Sequence, residues 1–454
     1  MAHLYLSAAH KSSGKTTLAI GLCAAWRARG LQVQPFKKGP DYIDPLWLGD
    51  AAGRPCHNLD FHTMAGDEID ATFATALHGA DLGLIEGNKG LYDGVALDGS
   101  DSNAALAARL QAPVVLVIDT TGMTRGIAPL LQGYQGFTPA VSLAGVILNR
   151  VGGSRHESKL RAAVEHYTDL PVLGTIGNDR SLMIEERHLG LIPSNEAGEA
   201  TRLIERLARM ASEGVDLDRL QALAETAAPA LPAPSVGPLP AADLRIGIPR
   251  DAAFGFYYPG DFDALRRAGA EPVFFDTLHD PDLPAVDGLF LGGGFPETQI
   301  EALEANRSLR RQIRVAIESG LPVHAECGGL DYLCRSLRWG DRCGEMVGAI
   351  AADAVMGERP QGRGYARLSP TGDHPWPFGA VAAHEFHYSR LEAIDPSLRF
   401  AWRVERGHGI DGTHDGLRYR NVTASYCHLR HLNASPWVDA FVAFVRGHRS
   451  RRQT

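Results

Sequence analysis

The sequence predicts two α/β domains, each organised on a mostly parallel sheet. Three features predict it. Short apolar runs alternate with helix-period stretches through the first 225 residues, a proline- and alanine-rich segment at 226–242 holds five prolines and no charge, and the strand–helix rhythm then restarts. Strands covered by helices on both faces read as continuous apolar runs, which is the pattern here. Proline removes an amide donor and stiffens the backbone, so 226–242 reads as a linker. The expected boundaries are 1–225, the linker, and 243–454.

In the first domain the expected strands are Leu4–Ala9, Leu31–Phe36, Leu82–Ile85, Val114–Ile118, Val141–Leu148 and Val172–Ile176. A helix over Thr16–Arg29 lies between the first two, with Gly30 as its stop. In the second domain Leu244–Ile248, Pro272–Phe275, Gly288–Leu291 and Pro322–Ala325 are the expected strands. A length of 454 residues fits two or three domains of about 150 residues.

The composition, 44% apolar and 22% charged, is that of a soluble globular chain. A net charge of −8 argues against nucleic-acid binding through a basic surface. Six cysteines in this length are not a disulfide framework. With no 18-residue apolar run and no signal-peptide pattern, no membrane partner is expected and the expected compartment is the cytoplasm. The Arg-rich end (Arg446, Arg449, Arg451, Arg452) is short and expected to fray. Oligomeric state is left open, a homodimer among the options.

Two chemistries stand out. The stretch Ala9-His-Lys-Ser-Ser-Gly-Lys-Thr16, followed by Thr17, lies between a strand and a helix. It is a phosphate loop with alanine at the first glycine position. Gly14 lets the backbone approach phosphates, Lys15 reaches their oxygens, Thr16 is a Mg²⁺ ligand, and the helix N-terminus faces the anion. ATP with Mg²⁺ is the expected ligand. Lys37, Asp41 and Asp44 follow the second strand, and Glu86, Lys89 and Asp93 follow the third, at the sheet end where ligands of open α/β sheets bind. Hard carboxylates suit Mg²⁺, which takes one or two of them. Asp41 and Glu86 are the expected metal partners beside Thr16, with Asp44 and Asp93 on the substrate side. Turn chemistry beside Pro45 and Gly94 fits Asp44 and Asp93 equally well. Asn149 ends a strand, where it reads either as an adenine contact or as a turn residue.

The second chemistry is Val323-His-Ala-Glu-Cys-Gly-Gly329, with Leu291-Gly-Gly-Gly-Phe-Pro-Glu297 before it and Ser425-Tyr-Cys-His428 after it. A sharp strand-to-helix turn exposes Cys327 at a helix N-terminus, which favours thiolate. Backbone amides of the Gly292–Gly294 strand end, Gly293 at its centre, and of Gly328 are the expected oxyanion donors. His428 is the expected base, with His431 in reserve. Cys23, Cys334 and Cys343 read as small hydrophobes, and Cys56 and Cys427 are unassigned. The spacing of Cys327, Cys334 and Cys343 matches no zinc pattern. His384-Glu-Phe-His387 is one residue short of the H-E-x-x-H motif and reads as hydrogen-bonding structure near a cleft.

Taken together, these segments resemble the cobyrinic acid a,c-diamide synthases. The most specific stretches are Lys38–Pro45, Asn58-Leu-Asp60, Glu86–Gly94, Leu291–Glu297, His384–Ser389 and Ala424–His428. The resemblance spans nearly the whole chain. It implies an N-terminal dethiobiotin-synthetase-like ATP domain joined to a C-terminal class I glutamine amidotransferase domain. The implied reaction phosphorylates a peripheral tetrapyrrole carboxylate with ATP and amidates it, at the a and c side chains, with ammonia released from L-glutamine at Cys327 through a thioester. Lys15, Lys37 and Mg²⁺ fit the charge neutralisation that phosphoryl transfer needs. Tyr42, Asp44 and His387 are guesses for macrocycle contacts. Two departures stand out. Arg430 occupies the position, two after the histidine, where many class I amidotransferases place a glutamate. The Ala9–Lys15 loop looks similar to that of sirohaem-amidating relatives, so sirohaem is the alternative substrate. A nucleotide-switched binding protein of the partition-ATPase kind fits less well, since its signature lysine position holds His10.

Overall fold

The computed structural model describes the chain except residues 139, 183, 185, 188, 189, 197, 198, 229–236 and 454. The chain divides into two compact units, Met1–Ser235 and Val236–Thr454. The division lies inside the 226–242 segment, of which residues 229–236 fall outside the described residues.

The first unit is a seven-stranded sheet of β1 (Ala2–Ala8), β2 (Val33–Lys38), β3 (His57–Leu59), β4 (Leu82–Glu86), β5 (Val114–Asp119), β6 (Leu143–Val151) and β7 (Val172–Gly177), ordered β3-β2-β4-β1-β5-β6-β7. Every pairing in it is parallel. β1, β2, β4 and β5 are buried along nearly their whole length, and β4 and β5 accordingly read as apolar runs up to their terminal carboxylates. Helix α1 (Lys15–Ala28) has Leu18, Ile20, Leu22 and Trp26 buried in the core. Burying each such side chain stabilises the fold by about 1.5–3 kcal/mol. This packing fixes the helix N-terminus at the end of β1. Register does the rest: Lys37 pairs with Glu86, and Glu86 pairs with Leu6.

The second unit holds a nine-stranded sheet. Its parallel half runs Ala270–Phe275, Leu244–Pro249, Gly288–Leu291, Val323–Glu326, Val422–Ser425. Beyond it the sheet continues antiparallel through His414–Tyr419, Arg399–Arg406, Gly362–Pro370 and Val381–His387. The expected parallel strands are present, whereas the antiparallel half is an addition to the sequence expectation. In Val323–Glu326 alternate side chains take opposite faces. Val323 and Ala325 enter one core, while Phe290 and Trp437 belong to the other, against which His324 packs.

The Arg-rich end, expected to fray, has helical backbone. It continues helix Trp437–Gln453, where Arg446 binds Asp243 with two nitrogens at 2.7 Å. Among the described residues no helix is long and apolar enough to cross a membrane.

Candidate active sites

In the first unit the phosphate loop bends through left-handed backbone at Ser12 (φ 61°) and Gly14 (φ 85°), a conformation that turns successive amides toward one point. A side chain at Gly14 is excluded twice, by this φ and by Asn149 Nδ2, which would lie 2.2 Å from a Cβ there. Asn149 donates from Nδ2 to Ser13 O (2.8 Å) and accepts the Arg150 amide (2.9 Å), so its amide braces the loop. It also lines a small hollow with Thr17, Arg150, Asn178 and Asp179 beside Gly14.

Thr16 Oγ1 donates to Glu86 Oε1 (2.6 Å) and lies 3.3 Å from Asp44 Oδ2. Lys37 Nζ contacts the same two oxygens, Asp44 at 2.5 Å and Glu86 at 3.1 Å. The group is deeply buried. Desolvation pushes Lys37 down, but the adjacent Asp44 and Glu86 outweigh it and hold the lysine above its ordinary range. Burial raises Glu86. Lys15 is lowered to about 8, first by burial and then by the Lys37 charge.

The structure rearranges the expected roles of the two aspartates. Asp41 Oδ1 accepts the amides of Ile43 (2.9 Å) and Asp44 (3.1 Å), capping helix α2 (Ile43–Ala52). Asp44, expected on the substrate side, is the carboxylate that meets Thr16 and Lys37. The next-turn geometry explains this: Asp41 sits before the helix, where a short carboxylate folds back on free amides. Asp93 Oδ2 accepts the Gly90 amide (2.9 Å) in an exposed loop. Tyr42 is buried next to this cap.

Two asparagines that the sequence reading did not single out hold these loops. Asn58 Nδ2 donates to Gly39 O and Asp41 O, both at 2.7 Å. Asn103 ties Asn88 and Gly90 to the Tyr5 hydroxyl. Asn58 carried a signal, since it lies in a family-like stretch; Asn103 follows Ser102 at an ordinary helix start and carried none.

A Mg²⁺ ion fits this group on structural grounds. Glu86 Oε2 is buried without a hydrogen-bond partner among the described residues, a costly state for a carboxylate oxygen unless a cation meets it. The neighbouring donors, Thr16 and Asp44, are hard oxygens.

In the second unit Cys327 joins strand Val323–Glu326 to helix Gly328–Leu333 with φ 48° and ψ −109°. Such backbone strain at a non-glycine residue persists only where surroundings enforce it. Here the Cys327 amide donates to Ser425 O (2.7 Å) and its carbonyl accepts from Asp331 (3.1 Å). The expectation of a favoured thiolate meets an opposing environment. Burial pushes the thiol well above its ordinary range, Asp331 and Glu297 add to this, and a hydrogen bond from the Gly328 amide opposes it. The helix has only six residues, too short for its dipole to win.

The glycines crowd this turn. A Cβ at Gly293 would lie 2.5 Å from His428 Cε1, and one at Gly328 would lie 3.1 Å from Gly294 N. The expected oxyanion strand, cysteine turn and histidine are therefore brought together. His428 is locked by two backbone hydrogen bonds with His384, and its Nδ1 lies 3.3 Å from Glu326 Oε2. Asp415 accepts the Tyr426 and Cys427 amides at 2.9 Å and fixes the preceding turn. His431 is directed elsewhere, its amide on Asp261 and its ring toward Asp439. Arg430 lies over the Tyr258 ring.

The His384–Ser389 segment is a strand end that braces the site. Glu385 accepts the His408 (2.6 Å) and Gly409 (2.9 Å) amides, and Ser389 donates to Asp331 (2.9 Å). His387, guessed as a macrocycle contact, stacks on Tyr426 at 3.7 Å and is 2% exposed. Glu326 is the residue that sequence reasoning missed. Its signal was a second polar residue, two after His324, on one face of an otherwise buried strand.

Residues 8–192 match the CobQ/CobB/MinD/ParA nucleotide binding domain, and residues 245–436 match the CobB/CobQ-like glutamine amidotransferase domain. The chain is 47% identical to a cobyrinate a,c-diamide synthase of Magnetococcus marinus, over 98% of this chain and 97% of that one. It is 40% identical to one of Methanosarcina acetivorans, over 93% and 91%. A third, of Listeria monocytogenes, is 37% identical over 94% and 96%.

Proposed function

From the premise that the chain belongs to the cobyrinate a,c-diamide synthase family, and is thereby a glutamine-dependent ligase, we propose that it amidates the a and c carboxylates of a cobyrinic-type tetrapyrrole in cobalamin biosynthesis, through an acyl phosphate. The observation that carries this reading is the pairing, in one chain, of the Thr16–Lys37–Asp44–Glu86 group at a phosphate loop with the strained Cys327 turn.

In the second unit the Cys327 sulfur attacks the glutamine side-chain amide carbon while His428 takes the thiol proton. The amides of Gly293 and Gly328 are assigned to the developing oxyanion. The C–N bond breaks, His428 returns the proton to the leaving nitrogen, and ammonia departs. Water then cleaves the thioester to glutamate. Because the thiol rests neutral, proton transfer to His428 accompanies attack and free thiolate does not accumulate.

In the first unit the amides of the loop and Lys15 take the ATP phosphates, with Thr17 and Asn149 beside the nucleotide. Thr16, Glu86 and Asp44 would hold Mg²⁺, which when bound neutralises phosphate charge. Lys37 holds Asp44 and Glu86 in place by contacting both. A substrate carboxylate oxygen attacks the γ-phosphorus and ADP leaves; ammonia then attacks the acyl carbon and phosphate leaves. Tyr42 and Asp93 are assigned to the substrate side of the loops.

Mass spectrometry of products tests the substrate. With ATP, Mg²⁺ and glutamine, cobyrinic acid is expected to give a diamide while sirohaem gives none. The Ala9–Lys15 departure motivates the sirohaem arm; amidation of sirohaem alone would replace the substrate assignment and keep the chemistry.

A further inference from the structure

Class I amidotransferases orient the catalytic histidine with an acid two residues after it, and this chain has Arg430 there. That acid cannot act from position 430, where the guanidinium lies 5.0 Å from the Tyr258 ring centre. The neighbourhood of His428 contains another carboxylate. Glu326 Oε2 lies 3.3 Å from His428 Nδ1, and both side chains are 3% exposed. We propose that Glu326, the residue immediately before the nucleophile, is the positioning acid of the glutamine site, replacing the missing one from a different strand. This inference rests on the glutaminase reading above and deepens it.

The geometry carries the proposal in three ways. First, a carboxylate 3.3 Å from Nδ1 favours the proton on that nitrogen, leaving Nε2 for the thiol proton; a Cβ at Gly293 would lie 3.4 Å from Nε2. Second, the other carboxylate oxygen is itself anchored. Glu326 Oε1 accepts the Leu429 amide (2.8 Å) and lies 2.9 Å from His324 Nε2. The alternation of a strand places His324 and Glu326 on one face, and His324 is clamped by Phe290, Trp376 and Trp437. Leu429 follows the base directly, so one carboxylate holds both the ring and the backbone of the histidine segment. Third, the surroundings favour the charged carboxylate. Burial pushes the Glu326 carboxyl up, but the hydrogen bonds from His324 and His428 outweigh it and hold it at about 2. The other titratable groups that feel Glu326 are Cys327, Tyr257 and Asp261.

This arrangement puts nucleophile and orienting acid on adjacent residues. Successive strand side chains point oppositely, so an ordinary extended Cys327 would face away from the Glu326 side. The strained turn at Cys327 is what lets both serve one histidine.

The test is Glu326→Gln in the full-length enzyme, read by glutaminase kinetics, by ammonia-driven amidation, and by the pH profile of glutaminase kcat/KM. Loss of the anion destabilises imidazolium, so the acid limb of the profile moves to lower pH, by about one unit. The glutaminase kcat falls by about 10²–10⁴-fold, while ammonia-driven amidation stays within about twofold, because the effect is confined to one site. Glu326→Asp keeps the charge and is expected to leave the limb in place with a loss of about tenfold, the lower end of outer-shell effects. Should Glu326→Gln fail to fold, this Asp variant decides: wild-type kcat in it overturns the proposal. So does a Glu326→Gln enzyme with wild-type glutaminase, or one whose loss comes with an unmoved acid limb. A wild-type enzyme that hydrolyses no glutamine instead overturns the parent reading.

Discussion

At the phosphate loop, Lys37 lies within 3.1 Å of both Asp44 and Glu86, so one lysine is shared by two carboxylates. At the cysteine turn burial pushes the nucleophile's thiol up, and the carboxylate beside it in sequence, Glu326, lies 3.3 Å from His428. Both sites sit where a parallel strand ends and a helix begins. They differ in what burial has to accomplish. The first must gather phosphate charge, so it keeps fixed charges that a polyphosphate and a cation can join. The second must attack a neutral amide, so it keeps its thiol protonated until substrate and base act together. One scaffold position thus supports an electrostatic site and a nucleophilic one, and the neighbouring side chains decide which.

The sharpest way to break this comparison is to disable one site and read the other. Cys327→Ser is expected to abolish glutamine-driven amidation, a loss of about 10³-fold or more, while ammonium-driven amidation persists. Loss of both would show that the sites are not chemically separable. The reciprocal change, Lys15→Ala, is expected to lower amidation from either nitrogen source by about 10²–10³-fold, the scale of removing one transition-state charge contact. Basal glutaminase should survive it.

A smaller effect separates the two aspartates. Asp44→Asn is expected to raise the Mg²⁺ concentration needed for half-maximal rate by about 10–100-fold. Asp41→Asn should leave the Mg²⁺ requirement alone and act on stability through the cap, by about 1 kcal/mol in a denaturation experiment. The reverse pattern would restore Asp41 as the metal partner.

The smallest effect is in pH. Lys15 is lowered to about 8, and its protonated form binds phosphate. ATP affinity is therefore full below pH 8 and weakens as pH rises through it, the KM for ATP approaching a tenfold rise per unit. A flat KM between pH 7 and 9.5 would contradict this.

How far the sequence disclosed these sites differs between them. The strands, the phosphate loop and the Cys327 turn were legible because apolar runs, Gly14 and the Gly328–Gly329 pair are local signals. The Asp41–Asp44 assignment was not, because which carboxylate turns toward Thr16 depends on where helix α2 begins, and ±1 or 2 residues at a helix start is beyond pattern reading. Glu326 was hidden for another reason. Its partner lies 102 positions downstream, and only the pairing of Glu326 with Ser425 across the sheet brings His428 within reach. The antiparallel half of the second sheet was missed because alternation in stretches such as Arg399–Arg406 marks strands without naming their neighbours.

The central claim is that nitrogen freed at Cys327 is captured by a carboxylate that ATP has activated in the same chain. Incubation with cobyrinic acid, ATP, Mg²⁺ and glutamine labelled with heavy nitrogen at the amide measures this directly. The account predicts label in every new amide, with one ADP and one glutamate formed per amide. Unlabelled product, or amide formed without ADP, would contradict it.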